Sequence, residues 1–344
     1  MENMLHLRYT SSQAEALPSQ YVFLPDQVPA ASAADRVSLP LIDMSRGLDE
    51  VRRAILDAGK EFGFFMVVNH GVPDVVMQDM IDVCEEFFKL PAEEKAHLYS
   101  EEKDKPNRMF SSSIYETGGE KYWRDCLHLT LAHPVIGDST KDWPDKPQGI
   151  REKIENFTLL TRAAGMDLLQ MLCEGMQVRP DFFEGDISGG NAIIDINHYP
   201  PCPNPSKTLG LPPHCDRNLI TLLHPGKVFG LEVAYKGEWI KVEPVPNAFV
   251  VNFGLQLEVV TNGMLKSIEH RTVTNSAVAR TSVATFIAPT RDCLIGPAEE
   301  FVSEDNPPCY RTVKFGDFLD VYNVVNLGSS LNLTTNLKNV QKDV

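Results

Sequence analysis

The spacing of apolar and polar residues changes period near the middle of the chain. From Asp49 the apolar positions recur at three- and four-residue steps, as in helices that bury one face. The sharpest stripe is Met77, Met80, Ile81, Cys84, Phe87 and Phe88, with Pro73-Asp74 opening the helix and Pro91 closing it. It reads as packing. A longer helix is predicted from about Ile150 to Met176, with Ile150, Ile154, Phe157, Ala164, Leu168 and Leu172 along one face. From Asn191 the texture becomes short strands punctuated by Gly and Pro, with a Lys236-Gly237 turn between two of them. The layout is then an extended arm over 1–36, a helical region over 37–185, a strand-rich core over 186–300 and a helical tail over 301–344. The expected fold class is mainly β with flanking helices.

Composition narrows the function classes. The 344 residues are 43% hydrophobic, ample for a buried core. No apolar run approaches the ~20 residues that span a bilayer, and the N-terminus lacks the basic and apolar segments of a secretory signal. Seven scattered cysteines fit free thiols in a reducing compartment. A cytoplasmic location is therefore expected, and the sequons at Asn156 and Asn332 carry no weight. A formal net charge of −15 opposes binding to nucleic acid or to an anionic membrane, which leaves small molecules as partners.

The chemistry concentrates in the strand-rich part. In a strand, side chains at i and i+2 share a face, so His214 and Asp216 can reach one metal while Cys215 turns away. His270 lies too far along the chain to be local and has to arrive on another strand. Two imidazoles and one carboxylate hold Fe(II) on one face and leave other coordination positions open. Arg280 and Ser282 repeat the i, i+2 arrangement and place a guanidinium and a hydroxyl on one face, which suits a carboxylate. A His-x-Asp triplet alone is a weak signal. Strand context, ligand order and a downstream anion anchor are independent requirements, and together they carry the assignment. A Zn(II) hydrolase could use the same ligands but would have no need of Arg280-Thr281-Ser282. A non-catalytic small-molecule binder would more naturally have lost a ligand. His70 reads as structural, His198 alternates away from its neighbours Asn197 and Tyr199, and His128, His133 and His224 lack metal-ligand spacing.

These motifs, with Leu41-Ile42-Asp43, Gly63-Phe64-Phe65-Met66-Val67-Val68-Asn69-His70-Gly71, Asn197-His198-Tyr199-Pro200-Pro201-Cys202-Pro203, Thr261-Asn262-Gly263 and Asn306-Pro307-Pro308, resemble the plant-type Fe(II)/2-oxoglutarate-dependent dioxygenases over nearly the whole chain. Within that family the chain resembles grass enzymes that hydroxylate mugineic acids. That likeness rests on Gly118-Gly119-Glu120-Lys121-Tyr122-Trp123-Arg124-Asp125, Pro212-Pro213-His214-Cys215-Asp216-Arg217-Asn218-Leu219 and Leu333-Thr334-Thr335-Asn336-Leu337-Lys338-Asn339-Val340.

The resemblance implies a double-stranded β-helix, or jelly roll, with a helical N-terminal region. It implies Fe(II) on His214, Asp216 and His270, and 2-oxoglutarate on Arg280, Ser282 and Tyr199, with Asn197 near its C1 end. Ascorbate is the expected stimulant and a monomer the expected state. Tyr122, Arg124, Asp125 and Phe286 are the substrate candidates. The implied reaction hydroxylates a small specialised metabolite, either a mugineic acid-type phytosiderophore or a phenolic, indole or alkaloid such as salicylate, melatonin or a tropane, and yields succinate and CO2. A relative that uses ascorbate instead of 2-oxoglutarate is the other reading inside the fold. Leu255 follows Asn252-Phe253-Gly254 where many members carry Asp, which disfavours a flavonoid-type pocket.

Overall fold

The structure, a computed structural model, describes Leu5 and residues 16–23, 37–112, 121–135 and 137–322. Most of the predicted arm, the quoted residues 118–120 and 333–340, and the tail beyond 322 lie outside the described residues. The helices are α1 (Leu48–Glu61), α2 (Asp74–Lys89), α3 (Ala92–Lys95), α4 (Ile150–Met176), α5 (Leu255–Val260) and α6 (Phe315–Tyr322). The stripe read from the sequence is the buried face of α2, and all six residues marked on α4 are buried. In α1, Val51, Ile55, Ala58 and Gly59 form the inner face, while Asp49 and Glu50 in the first turn and Lys60 in the last complement the helix dipole.

Fourteen strands accompany these helices among the described residues. A large sheet joins β1 (Leu41–Asp43), β2 (Phe64–Val68), β10 (Phe249–Phe253), β7 (Ile220–His224), β12 (Arg280–Ile287), β5 (Ala192–Tyr199), β4 (Asp125–Leu131) and β3 (Arg108–Ser111), in that spatial order. A smaller sheet joins β6 (Leu211–His214), β11 (His270–Thr272), β8 (Leu231–Tyr235) and β9 (Glu238–Val242). Strands β13 (Leu294–Ile295) and β14 (Val313–Lys314) pair beside them. The two main sheets make the expected jelly roll. Residues 41–131 supply four strands of the large sheet, which periodicity does not separate from the helices around them. Strand β2 is a continuous apolar run, Phe64-Phe65-Met66-Val67-Val68, with four of its five residues buried, and such a run carries no alternation to read.

Period-two alternation gives the large sheet two uses. Its outer side chains, including Ile194, Ile196, Leu222, Val283 and Ile287, join α1, α2 and α4 in the main core. Its inner side chains face the small sheet across a cavity. One end is filled by Phe64, Met66, Leu231, Val233, Ile240 and Val250. The predicted turn joins β8 to β9, and positive φ at both Lys236 (49°) and Gly237 (86°) gives the twist that a two-residue hairpin needs.

Gly254 ties the large sheet to the loop after β6. Its N–H donates to the Leu219 carbonyl at 2.9 Å, and the next N–H, of Leu255, donates to the Asp216 carbonyl at 2.8 Å. A β-carbon at residue 254 would run into the backbone carbonyl of Asn218. Gly254→Ala is expected to destabilise the fold by about 1–3 kcal/mol, the usual cost of overpacking, with weaker metal binding because the Asp216 loop has to shift. Thermal denaturation checks the first effect, and an unchanged melting temperature would contradict it.

Candidate active site

His214 closes β6, Asp216 lies two residues past its end, and His270 opens β11, where it pairs directly with His214. The strand ends one residue too soon for plain i, i+2 alternation to be the whole reason His214 and Asp216 converge. The turn after β6 and its pin from Leu255 complete it. Cys215 faces away, as expected, with its thiol toward the Ser267 carbonyl at 3.7 Å.

The three side chains are buried, and their ligand atoms lie within 4.8 Å of one another. Each Nε2 is 3.7 Å from Asp216 Oδ1, and the imidazole centroids are 4.2 Å apart. Atoms at that separation can each touch one ion at the bond lengths of about 2.0–2.2 Å usual for imidazole and carboxylate. The surroundings fix the ligating forms. His214 Nδ1 sits 2.8 Å from the Pro212 carbonyl and His270 Nδ1 3.3 Å from that of Ile268. Each carbonyl accepts a hydrogen bond from Nδ1–H, which leaves a bare Nε2 turned inward. Burial, and then His270 beside it, pushes the His214 pKa down to about 3, so the ring is neutral and able to ligate. Burial would raise Asp216, but His270 and His214, with hydrogen bonds from Asn252 and Thr221, outweigh it and hold the carboxyl below its ordinary value. Asp216 Oδ2 accepts from Thr221 Oγ1 at 2.6 Å and from Asn252 Nδ2 at 2.7 Å, which leaves Oδ1 for the ion.

The next feature is built on two paired strands. In the β5–β12 register Tyr199 opposes Arg280 and Asn197 opposes Ser282, so all four share the inner face. Arg280 is buried, its Nε donates to the Val228 carbonyl at 3.1 Å, and its guanidinium lies 5.2 Å from the Tyr199 ring centre. Gly230 packs so closely on the Arg280 side chain that a β-carbon there would collide with it. Among the described residues no carboxylate pairs with Arg280. A buried cation without a counterion is costly, and its planar fork fits the carboxylate of an entering dianion.

The remaining sequence candidates divide. Phe286 and Arg124 line the cavity. Arg124 donates through its NH1 to Asn197 Oδ1 at 2.8 Å and through Nε to the Ser112 carbonyl at 3.0 Å. Asp125 does not line it. Residue 125 opposes His198 on β5, and alternation sends it to the face away from Asn197, where Oδ1 accepts from Ser111 Oγ at 2.5 Å and from the Leu5 N–H at 3.1 Å. Tyr122 packs outside the cavity with Phe23 and Leu209. His70 bonds the Asn247 carbonyl and lies against Phe249, and His198 stacks on Phe88, both away from the triad.

Thr221, Asn252, Phe64, His128 and Asp195 also line the cavity, and the sequence reading assigns none of them to the site. Phe64 meets His270 edge-on at 5.2 Å. Asp195 was within reach of it, because two residues before Asn197 on one strand is the same face.

Residues 190–289 match the model of the 2OG-Fe(II) oxygenase superfamily, and residues 39–151 match that of the non-haem dioxygenase in morphine synthesis N-terminal region. The chain is 67% identical over 344 residues to 2'-deoxymugineic-acid 2'-dioxygenase of Hordeum vulgare, covering 100% of both chains. It is 57% identical over 338 residues to mugineic-acid 3-dioxygenase of Hordeum vulgare, covering 98% of this chain and 99% of the other. The solved structure of JOX2 in complex with 2OG, Fe and JA superposes with a TM-score of 0.85 at 30% identity, over 95% of this chain and 96% of that one. The chain belongs to the 2OG-Fe(II) oxygenase family. It is a 2-oxoglutarate-dependent dioxygenase with Fe(II) and 2-oxoglutarate as cofactors, acting with O2 on a small molecule. Among the described residues no helix is long and apolar enough to cross a membrane.

Asn252→Leu removes one of the two donors that orient Asp216 without leaving a polar group unpaired. Fe(II) or Co(II) affinity should fall about ten- to a hundredfold, as for other partners of metal ligands, with the melting temperature little changed. Anaerobic titration calorimetry measures it, and wild-type affinity would show that Thr221 suffices.

Proposed function

We propose that this enzyme hydroxylates a mugineic acid-type amino acid, with Fe(II) held by His214, Asp216 and His270. The distal carboxylate of 2-oxoglutarate meets Arg280, Ser282 and Tyr199, and Asn197 stands nearer its C1 end. The observation that carries the substrate reading is the 67% identity, along the full chain, to the barley enzyme named for 2'-deoxymugineic acid. Phenolic, indole and alkaloid substrates rank below it. The hyoscyamine 6-dioxygenase of Hyoscyamus niger is 38% identical over 301 residues, and the wall opposite the triad carries charges of both signs. We read the protein as a cytoplasmic monomer.

When bound, Fe(II) supplies the O2-dependent decarboxylation of 2-oxoglutarate to succinate and CO2 that is coupled to hydroxylation of a C–H bond. The chain's own residues position and exclude. Neutral His214 and ionised Asp216 stand ready as ligands without first losing a proton. Arg280 turns one end of the co-substrate away from the triad and thereby fixes which end approaches it. Phe64, Leu231 and Phe286 line the cavity with apolar surface that limits water beside the reacting C–H bond.

Succinate measured by NMR with Fe(II), ascorbate, O2 and 2-oxoglutarate, across deoxymugineic acid, mugineic acid, salicylate, melatonin, a flavanone and a tropane, tests the reading. Succinate should rise in step with one hydroxylated mugineic acid, and coupling to salicylate or a tropane alone would overturn the substrate assignment. His214→Ala should lose turnover altogether. Arg280→Lys keeps the charge but loses the fork, and the apparent KM for 2-oxoglutarate should rise about tenfold or more, the worth of one charge-assisted hydrogen bond. An unchanged KM would remove Arg280 as the anchor.

A further inference from the structure

Strands β5 and β12 meet as a ladder of cavity-facing rungs. Tyr199 opposes Arg280, Asn197 opposes Ser282, Asp195 opposes Ala284 and Ile193 opposes Phe286. Asp195 stands four residues from Tyr199, about 13 Å along the strand at 3.3 Å per residue. The short carbon chain of 2-oxoglutarate, anchored at Arg280 and bent toward the triad, does not reach that far. The Asp195 rung therefore belongs to the substrate's half of the cavity, and small Ala284 opposite leaves room there.

Asp195 is held rather than satisfied. Its Oδ1 lies 2.6 Å from His128 Nδ1, across the β4–β5 register that pairs the two residues. No other described residue hydrogen-bonds its carboxylate, whose side chain is 15% exposed, toward the cavity. Burial works to raise its pKa, but His128, with Arg124 and Arg217 nearby, outweighs this and keeps the group ionised. An ionised carboxylate can accept about four hydrogen bonds, and His128 supplies one, which leaves the rest of the carboxylate open to a donor in the cavity. A ketone has no proton to offer it. An ammonium group offers a donor and the opposite charge together.

We propose that Asp195, oriented by His128, is the seat of a protonated amine on the substrate, which makes it a specificity-determining residue for amino acid substrates. The proposal rests on the mugineic-type reading of the same cavity. Asp195, not Asp125, is then the carboxylate that complements Arg124. A substrate carrying both an ammonium and carboxylates meets the two signs on one wall.

The test compares wild type with Asp195→Asn, which keeps the size and an acceptor for His128, and Asp195→Glu, which keeps the charge. Steady-state kinetics use 2'-deoxymugineic acid as the probe. Asp195→Asn should raise its KM roughly ten- to a hundredfold, the loss expected for a hydrogen bond between charged groups, while the KM for 2-oxoglutarate moves less than twofold. Asp195→Glu should recover part of the difference, which a purely structural role for the pair would not produce. If wild type hydroxylates the probe and Asp195→Asn does so with unchanged KM, the amine seat is wrong and the substrate reading stands. If wild type neither binds nor hydroxylates any amino acid of the panel, both fall.

Discussion

The antiparallel pairing of β5 with β12 is the constraint on which the rest of the site depends. Once Tyr199 is set against Arg280, the two-residue period fixes the facing of every other residue on the two strands. Every second residue on both strands enters the cavity, and the others enter the apolar layer against α1, α2 and α4. A slip of one residue in either strand would turn its charged residue, Asp195 on β5 or Arg280 on β12, out of the cavity and into that apolar layer. The helical layer therefore does more than cover the sheet. Its apolar surface makes the correct register the affordable one.

The triad is attached to this frame from the other side. His214 and His270 belong to the small sheet, while the two groups that orient Asp216, Thr221 and Asn252, belong to the large one. Asp216 is thus one place where the two sheets are joined by hydrogen bonds as well as by packing. Its backbone is fixed by the N–H of Leu255. Leucine keeps the helix start there and buries a side chain that adds no charge beside the ligands.

Much of this was legible in the sequence where one physical signal dominates. The stripe of α2, the face of α4, the Lys236-Gly237 turn and the convergence of His214, Asp216 and His270 each follow from period, turn chemistry or ligand type. What was not legible depends on a partner strand. Asp125, at the start of β4, has no site residue two positions away to fix its facing, whereas Asp195, two residues before Asn197, could have been placed by alternation alone. Register against β5 puts Asp125 opposite His198 and turns it out, and it puts Asp195 opposite His128 and turns it in. Strand β2 was hidden for a different reason, since a run buried on both faces has no alternation to detect. The His214–Asp216 spacing led to a converging pair through an incomplete reason, because the strand ends at His214 and a turn finishes the geometry.

The charge carried by the whole chain and the charge inside the cavity have opposite signs, and the second governs the ligands. The formal net charge is −15, yet among the described residues Arg124, Arg217 and Arg280 line the cavity against Asp195 and Asp216 as carboxylates. The low-dielectric walls strengthen these fixed charges relative to the distant surface, whose field salt screens within about 8–10 Å. A divalent ion adds two positive charges and the 2-oxoglutarate dianion removes two. The imidazoles aside, the described groups with these two ligands keep an excess of one positive charge. A substrate whose carboxylates outnumber its ammonium groups by one would balance it. A neutral ring system would leave the guanidiniums uncompensated, so the charge balance and the two-signed wall favour the same chemical class.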